Sequence, residues 1–211
     1  MNKYDQILER FSGIDTLRLE LLTPFNYEGT TNVFATDAHA LVCIPANLCE
    51  KEYKTQKKPN VSAIIGKDEM NIIPPLSIDR LEQLINRIPT ETISITKECE
   101  ECDGIGTVVW EYKHYEKDFQ CPKCEGDGET KTGKTEQRKV KSHCIKIANN
   151  YFYADVLEKL VFAARKLECS TVYQANDSVR SKQHNYQFYG IEVVIMPIMY
   201  DSDSNKTVIN Y

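Results

Sequence analysis

Three segments of the chain place apolar residues three and four positions apart, the spacing that gives a helix one buried face. The first follows Asn2, which can cap a helix, and the second follows Ser77 and ends before Pro89. The third is predicted to begin at Asn149 or Asn150. The apolar positions of the three predicted helices are Tyr4, Ile7, Leu8 and Phe11; Ile78, Leu81, Leu84, Ile85 and Ile88; and Tyr153, Val156, Leu157, Leu160, Val161, Ala164 and Leu167. Each helix therefore presents one apolar side to a core.

Alternating apolar and polar residues predict strands between these helices. Residues 15–22, where leucines alternate with charged residues, and residues 33–45 predict a meander of about three strands after the first helix. Residues 46–75 lose this periodicity and are expected to be mostly loop around one short strand at Val61 to Ile65. A strand at residues 92–96 then leads into a cysteine-rich segment, and three more strands are expected after the third helix.

This order of elements predicts an α+β fold of two helix-plus-three-strand halves that are interrupted by an insertion. The middle of the insertion is rich in β-branched and aromatic residues, as a β-ribbon arm would be. The expected boundaries are 1–96 for the first half with a linker and helix, 97–140 for the insertion, 141–200 for the second half and 201–211 for a frayed tail.

The composition is that of a folded globular protein. The 211 residues are 41% hydrophobic and 27% charged, close to the globular average. The N-terminal residues lack the apolar core of a signal peptide, and no apolar run approaches the length that spans a membrane. We therefore expect a cytoplasmic protein with no membrane partner. The formal net charge of −5 argues against a protein that coats nucleic acid with its whole surface, although a local basic face is compatible with it.

Two short cysteine motifs carry the clearest chemistry. "CEECDGIG" at 99–106 and "CPKCEGDG" at 121–128 share the form C-x-x-C-x-G-x-G. Two C-x-x-C turns supply four sulfurs to one tetrahedral ion, which predicts a zinc site of Cys99, Cys102, Cys121 and Cys124. Four protein ligands leave no position for water or substrate, so we expect one structural Zn²⁺. A redox-active cysteine pair is the alternative.

The glycines of both motifs are expected where the chain turns tightly behind the sulfurs. His114 and His143 could each replace a sulfur at the ion, but four cysteines make this unnecessary. The other cysteines lie near apolar stretches and are expected to be reduced structural thiols: Cys43, Cys49, Cys144 and Cys169.

The two motifs resemble half of the cysteine-rich zinc domain of the DnaJ family of chaperones, in which four such repeats bind two zinc ions. The resemblance covers about thirty residues, and the chain contains no "HPD" motif of a J-domain. It implies a zinc-dependent module that grips a protein partner. Trp110, Tyr112 and Tyr115, between the two motifs, are the candidate partner-binding residues.

The flanking segments resemble a bacterial sliding clamp, the β subunit of the replicative DNA polymerase. "VFATDAHALVCIP" at 33–45 is similar to the clamp's "ATDGHRLA" strand pair, with Ala38 in place of the glycine and Ala40 in place of the arginine. "IANNYFYADVLEKL" at 147–160 and "IEVVIMPIM" at 191–199 are similar to the clamp's closing helix and final strand. The residues that match are Asp37, His39, Leu41, Asn150, Tyr153, Asp155, Leu157, Met196 and Pro197.

This resemblance implies one DNA-clamp-like domain whose helices face double-stranded DNA and contact its backbone without reading bases. The candidate DNA-binding residues are Lys159, Arg165, Lys166, Lys3 and Arg10. Cations near helix ends also occur as ordinary solvated residues. A second basic run lies beside the cysteine motifs and consists of Lys131, Lys134, Arg138, Lys139 and Lys141. Because a clamp subunit has three such domains, a single one could encircle DNA only as a homo-oligomer.

The sequence contains no catalytic triad order, phosphate loop or nucleotide-binding glycine motif. The expected function is that of a non-enzymatic, clamp-like accessory protein of bacterial DNA metabolism. Its zinc ribbon would dock DNA or a replication or repair protein. The alternative is a chaperone-like, zinc-dependent protein-interaction module that does not bind DNA.

Overall fold

The computed structural model describes residues 1–13, 21–57, 59–61, 64–65, 75–174, 183–200 and 206–211. It divides into two compact units. Unit 1 comprises Met1–Pro89 and Val140–Tyr211, and unit 2 comprises Thr90–Lys139. Unit 2 thus begins at Thr90 rather than at residue 97, because the strand that starts there pairs along its whole length within unit 2.

Three α-helices lie in the described part of unit 1: α1 (Lys3–Phe11), α2 (Ile78–Asn86) and α3 (Ala154–Lys166). The side chain of Asn2 caps α1 by accepting the N–H of Asp5, and the side chain of Ser77 caps α2 by accepting the N–H of Arg80. Both caps satisfy backbone donors that the first helical turn leaves free. None of the described helices is long and apolar enough to cross a membrane.

The start of α3 differs from the sequence prediction. Asn150 does not open the helix but lies in a strand, and the helix begins at Ala154. Ala148 has a φ of 51° and turns the chain before that strand. The Asn150 side chain is buried against His184, so a residue type that favours helix starts is used here for a buried hydrogen bond.

The main sheet of unit 1 joins two three-strand meanders. Its strands run in the order β4-β1-β2-β3-β14-β13-β12-β5. Their bounds are β1 (Phe25–Tyr27), β2 (Asn32–Thr36), β3 (Ala40–Pro45), β4 (Thr55–Gln56), β5 (Leu76–Ser77), β12 (Thr171–Gln174), β13 (His184–Phe188) and β14 (Ile191–Ile195). The meander β1-β2-β3 follows α1, the meander β12-β13-β14 follows α3, and the last strands of the two meanders pair antiparallel at the centre. Unit 1 is therefore a mixed α/β structure of two helix-plus-three-strand halves.

The core of unit 1 is built from the predicted helical stripes and one face of this sheet. The side chains of Ile7, Leu8 and Phe11 on α1 and of Leu157 and Leu160 on α3 are completely buried. Each such burial stabilises the fold by about 1.5–3 kcal/mol. The predicted strand at residues 15–22 lies mostly outside the described residues, and so does part of the strand predicted at 61–65.

A second, three-stranded sheet of unit 1 has the order β11-β10-β15. Its strands are β10 (His143–Ile147), β11 (Asn150–Phe152) and β15 (Thr207–Asn210). The described end of the predicted frayed tail is therefore ordered, because β15 pairs in parallel with β10. The Tyr211 hydroxyl accepts the Ser77 N–H at 2.6 Å, and the Arg80 guanidinium lies 4.7 Å from the centre of the Tyr211 ring.

Unit 2 consists of two antiparallel pairs of strands. A long ribbon pairs β6 (Thr90–Glu98) with β9 (Glu129–Lys139), and a short hairpin pairs β7 (Thr107–Tyr112) with β8 (Tyr115–Gln120). The apolar cluster of this unit contains the four cysteines of the two motifs, with Val108 packed against them. Two-stranded pairs are marginally stable by themselves, so this unit needs a further source of stability.

Candidate metal centre and candidate nucleic-acid surfaces

The four predicted ligands lie together in unit 2. The sulfurs of Cys99, Cys102, Cys121 and Cys124 are all within 4.8 Å of one another. The Cys99 and Cys121 sulfurs are 3.8 Å apart, and those of Cys102 and Cys124 are 3.7 Å apart. A tetrahedral zinc ion with Zn–S bonds of about 2.3 Å requires sulfur–sulfur distances of about 3.8 Å. The donor set and its dimensions therefore fit a zinc ion.

The two motifs, Cys99–Gly106 and Cys121–Gly128, make equivalent hydrogen bonds: each donates one to the other motif, and each has one from a glycine N–H to its own cysteine sulfur. The Cys99 N–H donates to the Gly128 carbonyl and the Cys121 N–H to the Gly106 carbonyl, each at 2.8 Å. The Gly106 N–H donates to the Cys102 sulfur and the Gly128 N–H to the Cys124 sulfur, each at 3.3 Å. Donors that point at a sulfur favour its thiolate form, the form that binds a metal.

The glycines of the motifs permit a close approach of two backbones. A Cβ atom at Gly106 would lie less than 3.0 Å from the carbonyl oxygen of Gly126. A Cβ atom at Gly128 would likewise lie less than 3.0 Å from the carbonyl oxygen of Gly104. Gly106 and Gly128 also have φ values of 81° and 76°. The sequence indicated the tight turns but not this mutual contact, which requires both motifs to be folded together.

The thiols of the centre differ in acidity. Burial raises the pKa of the Cys102 thiol to about 12. Burial also raises the pKa of Cys121, but hydrogen bonds from the backbone N–H groups of Cys124 and Lys123 outweigh it, and the pKa falls to about 7. A bound cation would replace the protons of all four thiols.

Within the part of the chain that the structure describes, these cysteines form the one cluster of three or more metal-ligating side chains. His114 and His143 are not among them, and His143 lies 3.1 Å from the Ser142 hydroxyl. The remaining cysteines are free thiols at separate positions. Burial, together with the nearby Glu192 carboxylate, raises the pKa of Cys43 to about 12.

The three candidate partner-binding residues lie on one face of the short hairpin. Residues directly opposite in an antiparallel pair share a face, and the pairs Val108–Phe119, Trp110–Lys117 and Tyr112–Tyr115 are directly opposite. We name this the aromatic face: Val108, Trp110, Tyr112, Tyr115, Lys117 and Phe119. Lys117 and Phe119 were not predicted from the sequence, although their alternation with the acidic residues Glu116 and Asp118 was a usable signal.

The five candidate DNA-binding residues lie on α1 and α3 but have different partners. The Lys159 ammonium is 2.7 Å from the Asp37 carboxylate, and its side chain is only 12% exposed. Arg165 forms ion pairs with Asp79 and Glu82 of α2. These two cations are therefore neutralised within the fold.

The other three candidates have weaker partners. The Lys166 ammonium lies 2.5 Å from the Gln6 amide oxygen, Arg10 lies 4.0 Å from the Glu158 carboxylate, and the Lys3 ammonium lies 5.5 Å from the centre of the Tyr4 ring. Four residues of the second basic run, Lys131, Lys134, Arg138 and Lys139, lie on β9, where Arg138 pairs with Glu136.

Two of the three segments that resemble the clamp, residues 33–45 and 191–199, meet at the centre of the main sheet. The Met196 N–H donates to the His39 carbonyl at 2.9 Å, beside the β3–β14 pairing. Asp37 orders the turn before β3, because its carboxylate accepts the N–H groups of His39 and Ala40. Burial raises the pKa of Asp37, but the Lys159 ammonium and these N–H groups outweigh it and hold the pKa below its usual value.

A buried polar cluster in unit 1 was not predicted. The His184 ring contacts the Asn150 amide nitrogen at 2.8 Å through Nε2 and the Tyr186 hydroxyl at 3.2 Å through Nδ1. Burial lowers the pKa of His184 to about 4 and raises that of Tyr186. His184 and Tyr186 are two residues apart on β13, but Asn150 is 34 residues away from His184, and no local pattern marks the three as a group.

No protein-family model matches the chain, and no curated protein matches it. Solved structures of bacterial DNA polymerase III β subunits do align with it. These include pol III β of Caulobacter crescentus (12% identity, TM-score 0.47, 95% of this chain and 65% of that chain) and the Helicobacter pylori β clamp bound to a DNA ligase peptide (13%, 0.47, 94% and 63%). The sliding clamp of Bacillus subtilis is a third (12%, 0.46, 94% and 62%). The chain thus spans less than two thirds of the length of these clamps.

Proposed function

We propose that the chain is a non-enzymatic accessory protein of bacterial DNA metabolism, built as a clamp-like domain that carries a structural zinc ribbon. The observation that carries the proposal is the β3–β14 pairing, in which the last strands of two helix-plus-three-strand halves meet. Two of the three segments whose sequences resemble the sliding clamp, residues 33–45 and 191–199, meet at this same place, through the hydrogen bond between Met196 and His39.

Double-stranded DNA is the proposed ligand of the surface that α1 and α3 form on unit 1, which we name the helical surface. Lys3, Arg10 and Lys166 are the proposed phosphate contacts, because the partners of Lys3 and Lys166 are neutral and Arg10 has only a long ion pair, 4.0 Å, with Glu158. Lys159 and Arg165 belong to the same surface, but their carboxylate partners reduce the charge that they offer. Contacts between basic side chains and phosphates do not depend on the base sequence of the DNA, and they weaken as the salt concentration increases. A ring around DNA would need several copies of the chain, and a homo-oligomer is part of the proposal.

The zinc ribbon is proposed as a docking arm for DNA or for a replication or repair protein. Cys99, Cys102, Cys121 and Cys124 would hold one Zn²⁺, which supplies folding free energy and no chemistry, because four sulfurs close its coordination sphere.

A salt titration of duplex DNA binding tests the helical surface. The Lys3→Gln/Arg10→Gln/Lys166→Gln variant should weaken binding and reduce the slope of log K against log salt concentration by about 2.7, the value for three phosphate contacts. The matched control replaces Lys51, Lys54 and Lys57, which are exposed and lie outside the helices, and should leave the slope unchanged. Absence of duplex binding at low salt, or equal effects of both variants, would refute the DNA surface.

The second candidate is a zinc-dependent protein-interaction module without DNA binding. It is favoured by the exposed rings of Trp110, Tyr112 and Tyr115. Replacing Cys99 and Cys121 separates the two functions. The second candidate predicts complete loss of a protein partner and no DNA affinity in any variant, whereas duplex binding that survives the replacement supports the first.

A further inference from the structure

The short hairpin of unit 2 has two faces of different chemistry. The aromatic face carries four rings and one ammonium group, whereas the opposite face carries the carboxylates Glu111, Glu116 and Asp118. The alternation of side chains along each strand separates the two sets. A two-stranded hairpin normally gains stability from one packed face. Here the rings on the aromatic face stay largely exposed.

The exposure of these rings is large: 68% for Trp110, 63% for Tyr112, 77% for Tyr115 and 45% for Phe119. In the described structure, none of the four rings stacks on another aromatic ring. Large rings that are exposed together mark a binding surface more often than a solvated one.

Two of these rings each have a lysine ammonium group close to them. The Lys117 ammonium is 5.2 Å from the centre of the Phe119 ring, and the Lys113 ammonium is 5.3 Å from the centre of the Tyr112 ring. Lys113 occupies the hairpin turn with a φ of 58°, a conformation that glycine adopts more easily than lysine. The aromatic face therefore offers flat rings and positive charge, and the carboxylates of the hairpin point away from it.

We propose that the aromatic face binds single-stranded DNA, with bases stacked on Trp110, Tyr112, Tyr115 and Phe119 and phosphates paired with Lys113 and Lys117. A nucleotide combines a flat aromatic base with a negative phosphate, and this combination matches the face. Successive side chains on one face of a strand are about 6.8 Å apart, roughly two base-stacking steps. One base can therefore lie between neighbouring rings.

The single-stranded form follows from the same chemistry. The bases of a duplex are already stacked and paired, whereas those of a single strand are free to stack on protein rings without regard to sequence. The inference rests on the DNA role in the proposed function, but it concerns unit 2 alone and does not require the helical surface of unit 1.

The chain contains one tryptophan, Trp110, so its fluorescence reports directly on this face. Titration of the zinc-loaded full chain with unlabelled oligo-dT should quench Trp110 emission as the base stacks, and a duplex of equal phosphate concentration should quench it far less. Emission that does not change, or that changes equally with duplex, would overturn the proposal.

Affinity for fluorescein-labelled oligo-dT, measured by anisotropy, should fall roughly 5- to 150-fold in Trp110→Ala and in Tyr115→Ala. Trp110→Phe, which keeps a ring, should retain most of the affinity. The matched control is Val109→Ala, because Val109 is 59% exposed and lies on the opposite face of the hairpin, the one that carries the carboxylates. An equal loss in the control, or no loss in either ring variant, would contradict stacking.

Lys113→Gln/Lys117→Gln leaves the rings in place and tests the charges. The slope of log K against log salt concentration should decrease by about 1.4, the value for two phosphate contacts of a single strand. An unchanged slope would overturn the assignment of the lysines. Quenching of Trp110 by a denatured, carboxymethylated polypeptide but not by oligo-dT would assign the face to a protein partner and overturn the proposal.

The duplex titration distinguishes this inference from the proposed function. Loss of oligo-dT binding in Trp110→Ala with unchanged duplex binding supports both. If duplex binding is absent but oligo-dT still quenches Trp110, the helical surface fails and the aromatic face stands.

Discussion

At the residue scale, the glycines of the two cysteine motifs determine where the candidate metal centre has no room for a side chain. Gly106 and Gly128 approach the backbone carbonyl of the opposite motif, where no side chain fits. The cysteines and glycines could be selected from the sequence because their spacing is local. Their mutual contact could not, since it depends on how two segments that are distant along the chain fold together.

Replacing Gly106 with alanine should abolish stoichiometric zinc binding, because the Cβ would collide with a rigid carbonyl and displace the Cys102 ligand. Gly133→Ala is the control, since Gly133 has a similar φ of 78° but open space around its Cβ position. The control should lose about 1–2 kcal/mol of stability at most and keep its zinc. Metal content per chain, measured by atomic emission, checks both. Normal zinc content in Gly106→Ala would contradict the close approach.

Ala38 stands where the similar "ATDGHRLA" motif of the clamp has a glycine, and the φ of Ala38 is 75°. An L-residue in this conformation is strained by about 1–2 kcal/mol, and the extra freedom of an unfolded glycine costs about 0.5–1 kcal/mol. Ala38→Gly should therefore stabilise the chain by about 0.5–1 kcal/mol in a urea unfolding experiment. Ala46→Gly, at an exposed position without positive φ, should destabilise it. A loss of stability in both variants would contradict the strain.

His184 should make the protein sensitive to mild acid. Its pKa is about 6.5 when unfolded and about 4 when folded, because burial disfavours the charged ring. Between these values the unfolded state binds more protons, so stability is complete above pH 6.5 and is lost as the pH falls towards 4. The difference in free energy of unfolding between the natural chain and His184→Gln should decline by about 3 kcal/mol from pH 7 to pH 4. A difference that does not change with pH would contradict a buried neutral imidazole.

At the element scale, the helices could be predicted better than the strands. Asn2 and Ser77 cap α1 and α2 as their sequence positions indicate, because a cap depends on residues within one turn. Asn150 has the same capping chemistry but forms a long-range hydrogen bond in β11 instead. The pairing of β15 with β10 likewise joins segments more than sixty residues apart, and a polar tail gives no local sign of it.

The long ribbon and the short hairpin of unit 2 should depend on the metal. Their apolar cluster consists of the four cysteines and Val108, whereas unit 1 has a large aliphatic core. Chelation under reducing conditions should therefore abolish hydrogen-exchange protection within residues 90–139 and leave that of α1 and α3 unchanged. Protection that persists in the metal-free ribbon, or that is lost in both units, would contradict separate stabilisation.

At the scale of the whole molecule, the candidate metal centre of unit 2 could be predicted from the sequence more completely than the proposed DNA-binding residues of unit 1. The cysteine motifs indicate a zinc ribbon with no help from structure, because metal chemistry restricts residue type and spacing. The proposed DNA-binding residues were harder to select, since charge alone does not show which cations have partners. Lys159 and Arg165 are paired with carboxylates on other elements, and the acidic and aromatic sides of the hairpin separate only once the register is known.

Native mass spectrometry of the reduced, full-length chain tests the central claim most directly, because it measures metal content and assembly together. We predict one zinc ion for each chain, displacement of four thiol protons on binding, and loss of the ion in Cys99→Ser and Cys121→Ser. A chain that stays metal-free with four free thiols when zinc is supplied would contradict the account.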